Sequence, residues 1–133
     1  MPKKLILAVD DNPAGVGALR QILIQQGYEV ATAMSGEEAL EFLAKRVPDL
    51  VLLDVAMPGL SGYDVCRRIR EDPRTASLPV IFLTGKGGAK DMKEGTAAGS
   101  DLYLTKPILA TRLTAMLEMF LTEDKPISRR HKT

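Results

Sequence analysis

Short apolar runs rich in β-branched residues alternate along this chain with longer stretches in which apolar residues recur at helical spacing. Five runs have the length of strands: Leu5 to Val9, Glu29 to Ala33, Leu50 to Leu53, Val80 to Leu83 and Leu102 to Thr105. The third and fourth are apolar at every residue, which is typical of central parallel strands covered on both faces. The alternation therefore predicts an α/β fold, with a five-stranded parallel sheet and five helices.

The predicted helices carry start signals of their own. Asn12 stands as the N-cap of the first helix, with Pro13 at the first helical position. Two later helices begin with capping-box pairs, Ser35 with Glu38 and Ser61 with Asp64. The fourth helix, predicted within 86–98, contains three glycines, and each costs about 0.5 to 1 kcal/mol relative to alanine. We expect that helix to be loose or short.

The last predicted helix has one apolar face, formed by Leu109, Leu113, Met116, Leu117 and Phe120. The residues that follow it are polar and end in a basic stretch. We therefore expect one domain over residues 1–122, and a flexible basic tail or the start of a linker over residues 123–133.

Composition limits the classes of function. A chain of 133 residues with 45% hydrophobic and 26% charged side chains fits one globular domain. One cysteine, Cys66, and one histidine, His131, cannot make a disulfide or a Cys/His zinc site. The apolar runs are too short to cross a bilayer, so we expect a cytoplasmic protein with no membrane contact. Residues 1–124 hold fourteen basic against seventeen acidic side chains, which argues against direct binding of nucleic acid.

Polar side chains follow four of the predicted strands. Asp10 and Asp11 follow the first, Asp54 the third, Thr84 the fourth and Lys106 the fifth. The carboxyl ends of parallel strands meet at one edge of a sheet, so we expect these side chains to converge.

Three carboxylates in one small site require a cation. Unit charges about 4 Å apart repel by about 4 kcal/mol per pair at an effective dielectric constant near 20. Ligands that are all oxygen favour Mg²⁺ over transition metals. A carboxylate beside Mg²⁺, facing a hydroxyl and a lysine, is equipped to attack phosphorus. Asp54, at the end of the central strand, is the predicted nucleophile.

The motifs also carry a family resemblance. They are Val9-Asp10-Asp11-Asn12, the run from Leu52 to Gly59 that contains Asp54, Leu83-Thr84, and Lys106-Pro107. In this order, over about residues 4–121, the sequence resembles the receiver domain of two-component response regulators, including the chemotaxis regulator. The resemblance implies a flavodoxin-like, doubly wound sheet with strand order 2-1-3-4-5.

Carried over position by position, the resemblance implies a Mg²⁺ site and a phosphoacceptor. Asp54 corresponds to the phosphoacceptor and, with Asp11, to the side-chain metal ligands. Asp10 corresponds to the acid that holds a metal-bound water. Ala56 corresponds to a ligand through its backbone carbonyl, so its side chain can be small.

The resemblance also implies a switch. Lys106 corresponds to the lysine that pairs with a phosphoryl oxygen, and the peptide bond before Pro107 is expected to be cis. Thr84 and Tyr103 correspond to the pair that moves on phosphorylation and changes the surface of the fourth helix, fifth strand and fifth helix.

The resemblance implies partners rather than a metabolic reaction. A histidine kinase or histidine phosphotransfer protein would donate the phosphoryl group, and an effector protein or a removed output domain would respond. Self-catalysed transfer and slow autodephosphorylation would be the only chemistry, in a monomer or a phosphorylation-dependent dimer.

Other functions make different demands on these residues. A degenerate receiver would act as a phosphorylation-independent interaction module. A phosphohydrolase of the haloacid-dehalogenase type would need a second acid two residues beyond the nucleophile, where this chain has Ala56. Ala56 also lacks the polar atoms to orient an attacking water, which predicts a long-lived phosphoryl group.

Overall fold

The computed structural model describes residues 3–85 and 87–121, which form a doubly wound α/β domain. In chain order its elements are β1 Leu5–Val9, α1 Pro13–Gln25, β2 Glu29–Ala33, α2 Gly36–Lys45, β3 Leu50–Leu53, α3 Gly62–Glu71, β4 Val80–Thr84, α4 Ala89–Ala98, β5 Leu102–Thr105 and α5 Ala110–Leu121. All strand pairs are parallel, in the order β2-β1-β3-β4-β5. This confirms the predicted sheet, its strand order and its five helices.

The core lies on both faces of the sheet because successive residues of a strand point to opposite sides. On one face Leu53 and Phe82 pack with helices α2, α3 and α4. On the other face Leu52 and Ile81 pack with α1 and α5. Strands β1, β3 and β4 are buried at every residue, as their unbroken apolar sequences predict.

The caps follow the sequence signals with one correction. The Asn12 side chain accepts hydrogen bonds from the N–H groups of Ala14 and Gly15 at the start of α1. The capping box of Ser61 and Asp64 at α3 is complete. At α2, Ser35 accepts from the N–H of Glu38, but the Glu38 carboxylate accepts from the N–H of Met34. The reciprocal bond to the N–H of Ser35 was predicted wrongly, because the Glu38 carboxylate reaches the N–H one residue earlier.

Three boundaries also differ from the prediction. β4 continues through Thr84, because Thr84 still pairs with Thr105 of β5. α4 has ten residues and begins only after Gly87 and Gly88, so it is shorter than the predicted span. Leu109 precedes α5 and is 75% exposed, so it does not share the buried face of Leu113 and Leu117.

No helix within the described ranges is long and apolar enough to span a membrane. The expected tail over residues 123–133 lies outside the described residues, and the domain boundary at residue 122 stays a prediction.

Candidate functional site

Three carboxylates converge at the carboxyl edge of the sheet. One carboxylate oxygen from each of Asp10, Asp11 and Asp54 lies within 4.8 Å of the other two. Asp10 and Asp54 are buried, with 5% and 8% of their surface exposed, whereas Asp11 is exposed. The structure therefore brings together the acids that the strand ends predicted.

Backbone hydrogen bonds fix the two buried acids just beyond the strands. The N–H of Asp10 donates to the Ala33 carbonyl at 3.1 Å, and the N–H of Asp54 donates to the Val9 carbonyl at 3.0 Å. Each carboxylate also has one oxygen occupied locally. Asp10 Oδ1 accepts from the N–H of Asn12 at 3.0 Å, and Asp54 Oδ1 accepts from the N–H of Val55 at 2.7 Å. The Oδ2 atoms of both acids are thereby left for the site.

Lys106 supplies the positive charge of this cluster. Its Nζ lies 2.6 Å from Asp10 Oδ2 and 3.7 Å from Asp54 Oδ2. Burial lowers the pKa of Lys106, but its hydrogen bond to Asp10 and the Asp54 charge outweigh burial, so the pKa is raised overall. The Lys106–Pro107 peptide is cis, as the resemblance implied.

Two glycines make room for the acids. A Cβ on Gly62 would lie 2.1 Å from the Asp54 carbonyl oxygen, so any side chain there would displace the β3–α3 junction. A Cβ on Gly15 would lie 3.2 Å from Asp10 Oδ2. The sequence carries no signal for the close approach at Gly62, because it depends on how the β3–α3 loop folds back on the end of β3.

The predicted switch residues lie on β4 and β5. Thr84 is buried at the end of β4, at the same edge of the sheet as the acid cluster. Tyr103 is half-buried, and its ring packs on Phe82 with a centroid distance of 5.6 Å. Burial raises the pKa of Tyr103, although a hydrogen bond with the Tyr63 side chain opposes the shift. No role was predicted for Tyr63. The only signal for it in the sequence is a tyrosine next to the apolar face of a predicted helix.

The donor set fits a divalent cation. Within residues 3–85 and 87–121, the acid cluster offers three carboxylate oxygens against one ammonium, so these groups together retain negative charge. Ala56 lies exposed in the β3–α3 loop, two residues after Asp54. Oxygen donors with excess negative charge are what a hard cation such as Mg²⁺ prefers. The cluster could therefore hold a metal ion.

A family model described as the response regulator receiver domain matches residues 6–118. The chain belongs to this family. It is 40% identical over 126 residues to the phosphate regulon transcriptional regulatory protein PhoB of Rhizobium meliloti, covering 95% of this chain and 55% of that protein. It is also 46% identical over 103 residues to the response regulator PleD of Caulobacter vibrioides, covering 77% of this chain and 23% of that protein.

Solved structures agree with this assignment. A putative response regulator from Chloroflexus aurantiacus superposes with a TM-score of 0.87 at 37% identity, covering 92% of this receiver domain and all of that chain. The receiver domain spans little more than half the length of PhoB and less than a quarter of PleD. Both of those proteins contain further segments outside the part that aligns with this chain.

Proposed function

We propose that this receiver domain accepts a phosphoryl group on Asp54 from a histidine kinase or histidine phosphotransfer protein. The observation that carries the proposal is the acid cluster itself, in which Asp54 lies beside Asp10 and Asp11 and 3.7 Å from the Lys106 ammonium. Family membership supports the same chemistry.

Asp10, Asp11 and Asp54 would hold Mg²⁺, together with the backbone carbonyl of Ala56. When bound, the ion offsets the repulsion among the acids and the charge of the incoming phosphoryl oxygens. Mn²⁺ is the expected substitute, since it accepts the same oxygen ligands.

Asp54 Oδ2 is the attacking atom, because Oδ1 is held by the N–H of Val55. The new phosphorus–oxygen bond forms as the phosphorus–nitrogen bond of the donor phosphohistidine breaks. The electron pair stays on the histidine nitrogen, which takes a proton from solvent. Lys106 pairs with a phosphoryl oxygen through its charged ammonium.

The phosphoryl group adds close to two negative charges and several acceptor oxygens to the unphosphorylated domain. Thr84 moves to hydrogen-bond the phosphoryl group, Tyr103 follows, and the surface formed by α4, β5 and α5 changes its partner preference. This is a shift between existing populations rather than a new fold. The output partner is an effector protein or an output domain, and the receiver acts as a cytoplasmic signalling module without metabolic turnover.

Intact mass spectrometry tests the proposal directly. The protein is incubated with acetyl phosphate, with or without Mg²⁺, and wild type is compared with Asp54→Asn. Asp72→Asn is the matched control, because it makes the same chemical change at a half-buried acid outside the cluster. A phosphoryl-sized gain that needs Mg²⁺ is expected in wild type and in the control but not in Asp54→Asn. No gain with any divalent ion would overturn the proposal and favour a phosphorylation-independent interaction module.

Ala56 sets a second expectation, a long-lived phosphoryl group. Its methyl side chain offers no polar atom beside Asp54 to orient an attacking water. Ala56→Asn should therefore shorten the lifetime of the phosphorylated protein, measured by the decay of the mass gain. An unchanged lifetime would show that the residue at position 56 does not limit hydrolysis in this domain.

A further inference from the structure

A buried tyrosine outside the acid cluster joins three elements of the domain. Tyr63 lies in the first turn of α3, and only 7% of its surface is exposed. Its ring meets Phe82 of β4 edge-on, with the centroids 5.5 Å apart and an interplanar angle of 68°. Phe82 in turn contacts the ring of Tyr103 on β5. The three aromatic rings form a continuous layer between the sheet and the helices.

The hydroxyl of Tyr63 makes specific contacts beyond this packing. It donates a hydrogen bond of 2.9 Å to the backbone carbonyl of Asp91, in the first turn of α4. The same hydroxyl lies close enough to the Tyr103 side chain for the two to influence each other's pKa. One hydroxyl is thus bonded to the start of α4 and lies beside the predicted switch residue.

The start of α4 has few anchors in its own sequence. Its N-cap is Gly88, which makes no side-chain capping bond, and Gly87 precedes it. A glycine N-cap offers no side-chain acceptor and costs a few tenths of a kcal/mol relative to a polar cap. Contacts from other elements therefore matter more here than at α1 or α3.

Tyr103 lies against the same helix one turn later. A Cβ on Gly95 would lie 2.6 Å from Tyr103 Cδ2, so the ring rests directly on the α4 backbone. Tyr63 holds the first turn of α4, and Tyr103 packs on the following turn. Motion of Tyr103 therefore alters a contact with the second of these turns directly.

Tyr63 is also tied to the phosphoacceptor loop. Its neighbour Gly62 donates to the Val55 carbonyl at 2.8 Å and packs on the carbonyl of Asp54. A change in the loop after Asp54 is thus passed to the backbone that carries Tyr63.

We propose that Tyr63 is a positioning residue of the switch, whose hydroxyl couples Tyr103 to the first turn of α4. This inference rests on the proposed function, because it assumes that a phosphoryl group on Asp54 moves Tyr103. When Tyr103 shifts, the hydroxyl contact is remade and the start of α4 is repositioned. Without the hydroxyl, Tyr103 and α4 respond separately.

Tyr63→Phe tests the coupling because it removes only the hydroxyl and keeps the ring on Phe82. Amide exchange across residues 89–98 is measured with and without beryllofluoride, a phosphoryl mimic, in the presence of Mg²⁺. Wild type should change its exchange rates at the start of α4 on beryllofluoride binding. In Tyr63→Phe we expect exchange there to be about threefold to tenfold faster without the mimic, the effect of one hydrogen bond, and the response to the mimic to shrink.

Tyrosine labelling reports on Tyr103 itself. The chain has three tyrosines, so incorporation of 3-fluorotyrosine gives three fluorine signals, from Tyr28, Tyr63 and Tyr103. The Tyr103 signal should shift on beryllofluoride binding in wild type and shift less in Tyr63→Phe. Tyr28→Phe is the matched control, because Tyr28 packs on the opposite face of the sheet and should leave both responses unchanged.

Gly95→Ala provides a second variant. The added methyl group would occupy the place of the Tyr103 ring, so Tyr63→Phe should cause little further loss of the α4 response to beryllofluoride in that background. An equal loss of that response in both backgrounds would contradict coupling through Tyr103.

The outcomes separate the two proposals. Normal responses in both wild type and Tyr63→Phe would overturn the role of Tyr63 and leave the receiver function standing. No response and no phosphorylation in wild type would overturn the receiver function, and this inference with it.

Discussion

Two clusters of acids and bases lie at opposite edges of the sheet, and they are built differently. At the amino edge, Arg70 donates to the carbonyls of Gly99, Ala76 and Leu78 and to the Asp101 carboxylate. Asp101 also accepts from the N–H of Val80. We call this set the Arg70–Asp101 clamp. The positive charge of Arg70 balances the negative charge of Asp101. Apart from the bond between these two side chains, the hydrogen bonds given above are made with backbone atoms.

At the carboxyl edge the balance is absent. Among the residues that the structure describes, the acid cluster of Asp10, Asp11 and Asp54 faces one ammonium, that of Lys106. The Oδ1 atoms of the two buried acids are satisfied locally, while their Oδ2 atoms face the site. A clamp that stabilises the fold uses its polar atoms internally. A site that binds a ligand has unbalanced charge and oxygen atoms that can contact the ligand, and this arrangement lowers the stability of the fold.

The largest effect is expected from breaking the clamp. Arg70→Met would leave the Asp101 carboxylate buried without its cation, so the free energy of unfolding should fall by about 3 to 5 kcal/mol. Urea denaturation measures the change. Arg67→Met is the control, because Arg67 makes exposed ion pairs that contribute about 1 kcal/mol at most. Equal losses in the two variants would contradict the distinction drawn for the clamp.

Metal binding should stabilise the acid cluster and leave the clamp unaffected. With Mg²⁺ at about 100 times its Kd, the free energy of unfolding should rise by about 2.7 kcal/mol, and EDTA should reverse the gain. Asp11→Asn should lose this gain while becoming more stable without metal, because one source of repulsion is removed. Thermal or urea unfolding with and without Mg²⁺ checks both statements. A full Mg²⁺ effect in Asp11→Asn would exclude Asp11 from the site.

A local contact at the site's edge should cost less than the clamp. Ser61→Ala removes the capping bond to the N–H of Asp64 and should lower the free energy of unfolding by about 1 kcal/mol. Ser35→Ala removes the equivalent bond at α2 and serves as the matched variant. Urea denaturation of both should give similar losses. A loss for Ser61→Ala as large as that for Arg70→Met would mean that the cap supports more than its own helix.

The smallest effect concerns pH. The pKa of Lys106 is raised in the folded state, so its pairing with Asp10 contributes fully below the ordinary value of 10.5 and is lost as pH rises through the raised pKa. Unfolding measured from about pH 9 to 11.5 should therefore show a steeper decline in wild type than in Lys106→Gln. Tyrosines and Cys66 titrate in both proteins, so subtracting the Lys106→Gln profile from the wild-type profile cancels their contribution. Parallel profiles would show that the pair adds nothing to stability.

Local and periodic signals determined most of the fold. Apolar runs located all five strands, and Asn12, Ser35 and Ser61 marked the starts of three helices, because such signals act between residues a few positions apart. The convergence of Asp10, Asp54 and Lys106 was also predictable, since parallel strands place their carboxyl ends at one edge. The roles of these residues in phosphoryl transfer stay a proposal.

Tertiary structure alone decided the contacts between distant segments. Arg70 and Asp101 are 31 residues apart, and Tyr63 and Asp91 are 28 apart. No periodicity or capping rule relates such positions, because their meeting depends on how the helices cross the sheet. The prediction that Leu109 shares the apolar face of α5 was wrong for the same reason. The start of α5 at Ala110 depends on how the chain leaves β5. The sequence determined which residues reach the edge of the sheet, and packing decided which atoms meet there.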